Sequence, residues 1–189
     1  MNHASDFFRE ETTGMDQKFN GRIFRVEVHD VRLPDGRMAK REIVRHAGGA
    51  CVVALDEHLN VYLVRQFRKP YETELLELPA GKLEPGEDPL VCATRELLEE
   101  TGMTARSMEW LATVYPSPGY CSEILTIYLA CDLTCGQSNL EEGEFLSVHP
   151  YPFNEALAMV DRGEILDAKT QVGLLRAARV LAARKVISI

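Results

Sequence analysis

Nothing in this 189-residue chain runs apolar for long. No stretch approaches the roughly 18 consecutive apolar residues that a membrane-spanning helix needs. The opening MNHASDFFREETTG has neither the basic start nor the apolar run of a secretory signal. No basic run offsets the net charge of −8, which argues against a nucleic-acid backbone as partner. The five cysteines (Cys51, Cys92, Cys121, Cys131, Cys135) form no CxxC pair, and no histidine or second cysteine pair accompanies Cys131 and Cys135. A disulfide framework and a zinc site are therefore both disfavoured, and buried, reduced thiols in a cytoplasmic protein are expected. Internal repeats and low-complexity segments are absent as well.

What remains is an ordinary soluble composition, 46% hydrophobic and 26% charged. The length suits one domain with a small addition and suffices for a real core. Residues 1 to about 20 read as an arm or added element. Arg22–Val31 alternates as a strand, Leu33-Pro34-Asp35-Gly36 makes a turn, and Arg41–Arg45 is the returning strand. Ala50–Leu55 and Val61–Phe67 flank a second hairpin turn, and Glu74–Leu78 leads into the loop Pro79–Asp88. Further strands are expected at about Trp110–Tyr115, Ile124–Leu133 and Phe145–His149, and helices at Asn154–Asp161 and Ala168–Lys185. Strands and helices in this mixed order predict an α/β sandwich. The boundaries suggested are a hairpin-bearing segment, residues 1–45, and a main domain, 46–189.

The firmest helix is capped by Asp88, starts on Pro89 and closes at Gly102. It carries Arg95-Glu96-Leu97-Leu98-Glu99-Glu100. At about 100° per residue the three glutamates share an arc of roughly 100°. Leu90, Val91, Thr94, Leu97 and Leu98 lie opposite, so that apolar side is expected on the core and the carboxylates elsewhere. On a solvated face the like charges cost a few tenths of a kcal/mol per pair. Lining a cleft they repel by roughly 3 kcal/mol per pair at about 6 Å and a dielectric near 20. Only cations then keep all three ionised, and hard oxygen donors suit Mg²⁺ or Mn²⁺ beside phosphate.

Read outward, the segment is GKLEPGEDPLVCATRELLEETGM, Gly81–Met103. Glycine, five residues, Glu87, seven residues, Arg95-Glu96, an aliphatic, one free position, Glu99-Glu100, one free position, Gly102 and aliphatic Met103 follow in order. This resembles the Nudix box with every fixed position filled, an agreement that chance supplies with odds on the order of 10⁻⁷. The resemblance implies a Nudix-type α/β/α sandwich with a mixed sheet plus a small N-terminal β element. It implies a divalent ion, Mg²⁺ with Mn²⁺ or another as alternatives, held by Glu96, Glu99, Glu100 and the Ala80 carbonyl. Arg95 would orient the acidic cluster, and Glu87 and the two glycines would be structural. Such ions neutralise phosphate oxygens and lower the pKa of an attacking water.

Beyond the box, Val64–Pro70 (VRQFRKP), Glu74–Lys82 (ELLELPAGK), Arg41–Val44 leading to Gly48, and Ser117-Pro118-Gly119 are similar to the ADP-ribose pyrophosphatase branch. That resemblance implies cleavage of ADP-ribose to AMP and ribose 5-phosphate. Alternatives are GDP-mannose or ADP-glucose as substrate, or a domain that binds without catalysis. Arg68 would meet the diphosphate or terminal ribose. Arg41 and Glu42 would face the nucleoside, with Pro118 beside the substrate and Phe24 or Phe19 stacking on adenine. The acidic loop Leu140–Phe145 would supply the carboxylate that activates water, Glu142 first and Glu144 second. A homodimer is implied too, its N-terminal strands crossing to the partner.

Overall fold

The polar residues 11–20, read as part of an arm or added element, form a strand, β1 (Glu11–Asn20). It pairs antiparallel with β2 (Phe24–Arg32), which pairs antiparallel with β3 (Met38–His46). Nearly every residue of β1 is exposed, so no apolar alternation marked it. Backbone pairing asks nothing of the side chains, and a strand held that way alone leaves no period-2 signal. The Leu33–Gly36 turn closes as read, with the Gly36 amide on the Leu33 carbonyl at 2.9 Å. Residues 117–123 join β3: Val44 N–H donates to Tyr120 O and Ser122 N–H to Val44 O, at 2.8 and 2.9 Å. This computed structural model describes residues 6–140, 143 and 145–188. It divides into two compact units, residues 1–47 with 117–123 and residues 48–116 with 124–189.

The second unit is built on a mixed sheet. Its strands are β4 (Gly49–Leu55), β5 (Asn60–Arg68), β6 (Thr73–Glu77), β7 (Ala80–Lys82), β8 (Met103–Val114), β9 (Leu125–Cys135) and β10 (Leu146–Pro152). The main path runs β10-β5-β4-β9-β8, with β4 and β9 parallel and the other neighbours antiparallel. All of β4 is buried, and its two faces feed different cores. Cys51, Val53 and Leu55 join Ile127, Leu129, Phe153, Ile165, Leu174 and Leu181 on one side. Ala50, Val52 and Ala54 join Cys92, Ala93, Leu97, Tyr128 and Ala130 on the other. Helix α1 (Pro89–Thr101) therefore covers one face, and α2 (Phe153–Asp161) with α3 (Ala168–Ala183) the other, giving the α/β/α sandwich. Among the described residues no helix is long and apolar enough to cross a membrane.

One irregularity in the sheet positions the site. Strand β5 pairs with β4 only through Val61 and Tyr62, and from Val64 to Arg68 it is flanked by β6 instead. The chain then crosses over and pairs with the start of β4 as β7, Gly49 to Cys51 facing Lys82 to Ala80. Residues 77–81 (ELPAG) thus wedge the sheet open between β5 and β4.

Candidate active site

Helix α1 begins as its sequence dictates. Asp88 Oδ1 accepts the Leu90 amide at 2.8 Å, Pro89 takes a position where no N–H is needed, and Gly102 closes the end at φ 71°. The side it docks is not the expected one. Cys92, Ala93, Glu96, Leu97 and Glu100 are buried, whereas Leu90, Val91 and Leu98 are exposed. Small Cys92 and Ala93 let the helix lie close to β4, and that brings the glutamates of the same face down onto the β7 backbone. An apolar count over the wheel misses this, because it ranks large leucines above small residues and carboxylates with partners.

Each residue of the 77–81 wedge has a partner. The Leu78 amide donates to Thr170 Oγ1 at 2.8 Å, and Pro79 O accepts the Val52 amide at 3.0 Å. Strand alternation then turns the N–H and C=O of Ala80 away from β4. The N–H donates to Glu100 Oε2 at 3.0 Å. At Gly81 there is no room for a side chain: an added Cβ would stand 2.5 Å from Glu96 Oε2 and closer still to Oε1 and Cδ. Glu96 and Glu100 are thereby pressed against the Ala80–Gly81 backbone.

Arg95 gathers the cluster. Its Nε and Nη2 donate to the two oxygens of Glu87 (3.0 and 3.1 Å), and Nη1 donates to Glu96 Oε1 at 2.7 Å and Glu99 Oε2 at 2.9 Å. Hydrogen bonds from Arg95 hold the Glu87 carboxyl below its usual range, and Glu87 foremost keeps the guanidinium firmly charged. Among the described residues no three acidic, histidine or cysteine side chains converge on a single point. Glu96 and Glu99 share a cation, Arg95, with Glu87, while Glu100 holds the Ala80 amide. As a donor set, three carboxylates and the Ala80 carbonyl fit a hard divalent ion.

Arg68, at the end of β5, binds Glu77 in a two-pronged pair, Nε to Oε1 at 2.6 Å and Nη2 to Oε2 at 2.8 Å. Glu77, Lys169, Asp167 and Thr170 were not singled out from the sequence. Glu77 falls within Glu74–Lys82, but its partner Lys169 is 92 residues away and no spacing links them. Arg41 pairs with Glu10, Glu42 is exposed opposite Val28 on β2, and Pro118 is exposed in the 117–123 segment. These three belong to the smaller unit, whereas Arg68, Ala80, Arg95, Glu96, Glu99 and Glu100 belong to the larger one. Phe19 and Phe24 pack on each other, with ring centroids 5.6 Å apart. Glu142 and Glu144 lie outside the described residues.

Comparison with known proteins places a NUDIX domain over residues 45–170. The chain belongs to the NUDIX family. It is 42% identical to the ADP-ribose pyrophosphatase of Bacillus subtilis (strain 168), over 85% of this chain and 88% of that one. It is 43% identical to the methanol dehydrogenase activator of Bacillus methanolicus, over 88% and 91%. A solved structure of an ADP compounds hydrolase superposes with a TM-score of 0.85 over 97% of this NUDIX chain and all of that chain, at 22% identity, and so shares its fold.

Proposed function

We propose that this NUDIX protein is a divalent-metal-dependent hydrolase that splits the diphosphate of ADP-ribose into AMP and ribose 5-phosphate. The observation that carries this reading is the inward turn of Glu96 and Glu100 against the bare Ala80–Gly81 backbone, within a chain so similar to ADP-ribose pyrophosphatases. Glu96, Glu99, Glu100 and the Ala80 carbonyl would hold the ion, Mg²⁺ in the first instance. When bound, such an ion neutralises phosphate oxygens and acidifies water.

The chain's own residues supply the rest. Arg95 keeps Glu96 and Glu99 turned to one side of α1, and Ala80 N–H fixes one oxygen of Glu100. Arg68 offers a planar cation to the diphosphate. Arg41 and Glu42 are assigned to the nucleoside side, Pro118 to contact with the substrate, and Glu142, with Glu144 second, to removal of a proton from water. The three-stranded sheet leaves Met15, Phe19, Ile23 and Met38 more than half exposed, which suits burial against a second copy. All five cysteines are free, in keeping with a reducing cytoplasm.

Purified protein with Mg²⁺ and a panel of ADP-ribose, ADP-glucose and GDP-mannose tests the reading. ADP-ribose should give the highest kcat/KM, chelation should abolish turnover without changing the circular dichroism, and Glu100→Gln should remove most of it. Turnover of GDP-mannose with none of ADP-ribose would refute the assignment.

A further inference from the structure

A second polar cluster lies beneath the proposed substrate face, on the α3 side of the wedge. Glu77 is 2% exposed and holds two cations at once: Arg68 by both oxygens, and Lys169 through Oε2. Lys169 also pairs with Asp167 at 3.1 Å. Asp167 is the N-cap of α3, accepting the Thr170 amide at 2.9 Å and the Thr170 hydroxyl at 2.6 Å. The same hydroxyl oxygen accepts the Leu78 amide. A chain of bonds therefore runs from the first turn of α3, through Glu77, to the guanidinium of Arg68. Burial alone would raise the Glu77 carboxyl, but the two cations outweigh it and hold the group at about 2. It stays an anion at any working pH.

Two features separate this cluster from a merely structural ion pair. First, the burial is graded: the Glu77 and Lys169 side chains are 2% and 11% exposed, whereas that of Arg68 is 38% exposed. The inner members are fixed and the outer one reaches solvent. Second, Glu77 takes only the Nε and Nη2 edge of Arg68, and among the described residues nothing hydrogen-bonds Nη1. The charge of Glu100 is also felt at Arg68, so the guanidinium stands within electrostatic reach of the carboxylate cluster of α1. A guanidinium with one fork clamped has lost most of its rotamer freedom before any ligand arrives.

We propose that Glu77 and Lys169 are positioning residues, which clamp Arg68 so that its free edge is presented to a phosphate of the substrate. Lys169 acts at one remove, by fixing the rotamer of Glu77. This rests on the diphosphatase reading for the identity of the substrate, though not for the clamp itself.

Glu77→Gln keeps shape and one acceptor but loses the second charged prong, and Lys169→Met keeps the packed stem. Both should raise KM for ADP-ribose at least tenfold while kcat changes by less than about threefold, the pattern of lost binding common to ground and transition states. In an Arg68→Ala background neither should raise KM further, because the group they position is gone. Melting temperature is followed alongside. If Glu77→Gln fails to fold, Lys169→Met and Glu77→Asp carry the same comparison.

Inorganic pyrophosphate binding by calorimetry separates this idea from the functional reading. Suppose the native protein does not hydrolyse ADP-ribose, yet binds pyrophosphate at least tenfold better than Glu77→Gln. The assignment of substrate then fails and the clamp stands. Unchanged KM and pyrophosphate affinity in variants that have only lost melting temperature overturn the clamp. So does additivity with Arg68→Ala, and so does a native protein that binds no pyrophosphate.

Discussion

Replacing Gly81 by alanine should cripple catalysis while leaving the fold nearly intact. Gly81 lies outside the positive-φ glycines, so alanine adopts its backbone without strain. The new methyl would stand 2.5 Å from Glu96 Oε2 and nearer to Oε1 and Cδ, so the carboxylate must swing away. What is lost locally is the 2.7 Å charge-assisted bond to Arg95, worth roughly 1.5–3 kcal/mol. Against this, alanine loses less backbone entropy on folding than glycine by roughly 0.5–1 kcal/mol. Cys92, Ala93 and Leu97 still dock α1 on β4. The net destabilisation should thus be about 1–2 kcal/mol. Catalysis is less forgiving, since a displaced ligand of the proposed ion should cost about a hundredfold in kcat/KM. Initial rates against a Mg²⁺ titration, with urea midpoints measured in parallel, check both numbers, and the activation curve should also move to higher Mg²⁺. Gly173→Ala supplies the contrast: its Cβ meets Leu78 Cδ1 at 2.5 Å and Val53 Cγ2 at 3.1 Å, in the core. It should lower the urea midpoint and spare kcat/KM. If Gly81→Ala keeps activity within about threefold, or loses activity only by unfolding, the view of Gly81 as the seat of Glu96 is wrong.

Two other expectations follow from the geometry. Glu77 titrates at about 2 in the fold against an ordinary 4.5, so its stabilising contribution is complete above 4.5 and drains away as pH falls toward 2. The ceiling on that loss is about 3 kcal/mol. Denaturation at pH 5 and pH 3 should show a smaller difference for Glu77→Gln than for the native chain, and equal differences would contradict the assignment. Gly102→Ala should cost more than a typical cap replacement. Its φ of 71° disfavours alanine by about 1–2 kcal/mol. A Cβ would also stand 2.6 Å from Ser138 N and 2.8 Å from Gly136 O. The amides of Gly136 and Asn139, which donate to Gly102 O and Glu99 O, should then exchange faster, and unchanged exchange there would count against the steric reading.

The contrast between what could and could not be read from the chain has a physical origin. Local rules found α1 to the residue, because Asp88, Pro89 and Gly102 each satisfy a demand of the adjoining backbone. Alternation found β2, where side chains divide between two environments, and missed β1, where they do not. The box spacing located Glu96, Glu99 and Glu100, yet the wheel turned the helix the wrong way. Which side of α1 is buried depends on β7, whose glycine makes space for a carboxylate, and nothing within the helix records that space. Lys169 shows the same limit more sharply. Read alone it is a polar residue in the first turn of a helix, where a cation is unfavourable beside the N-terminal dipole. Only the fold brings in Glu77, whose charge, with that of the neighbouring Asp167, reverses that penalty and holds the ammonium protonated against burial. Residues that contradict a local rule and are reconciled by distant partners are where such a chain hides its support for function. By that criterion Lys169 is a stronger candidate for mutagenesis than any exposed charge that obeys every rule.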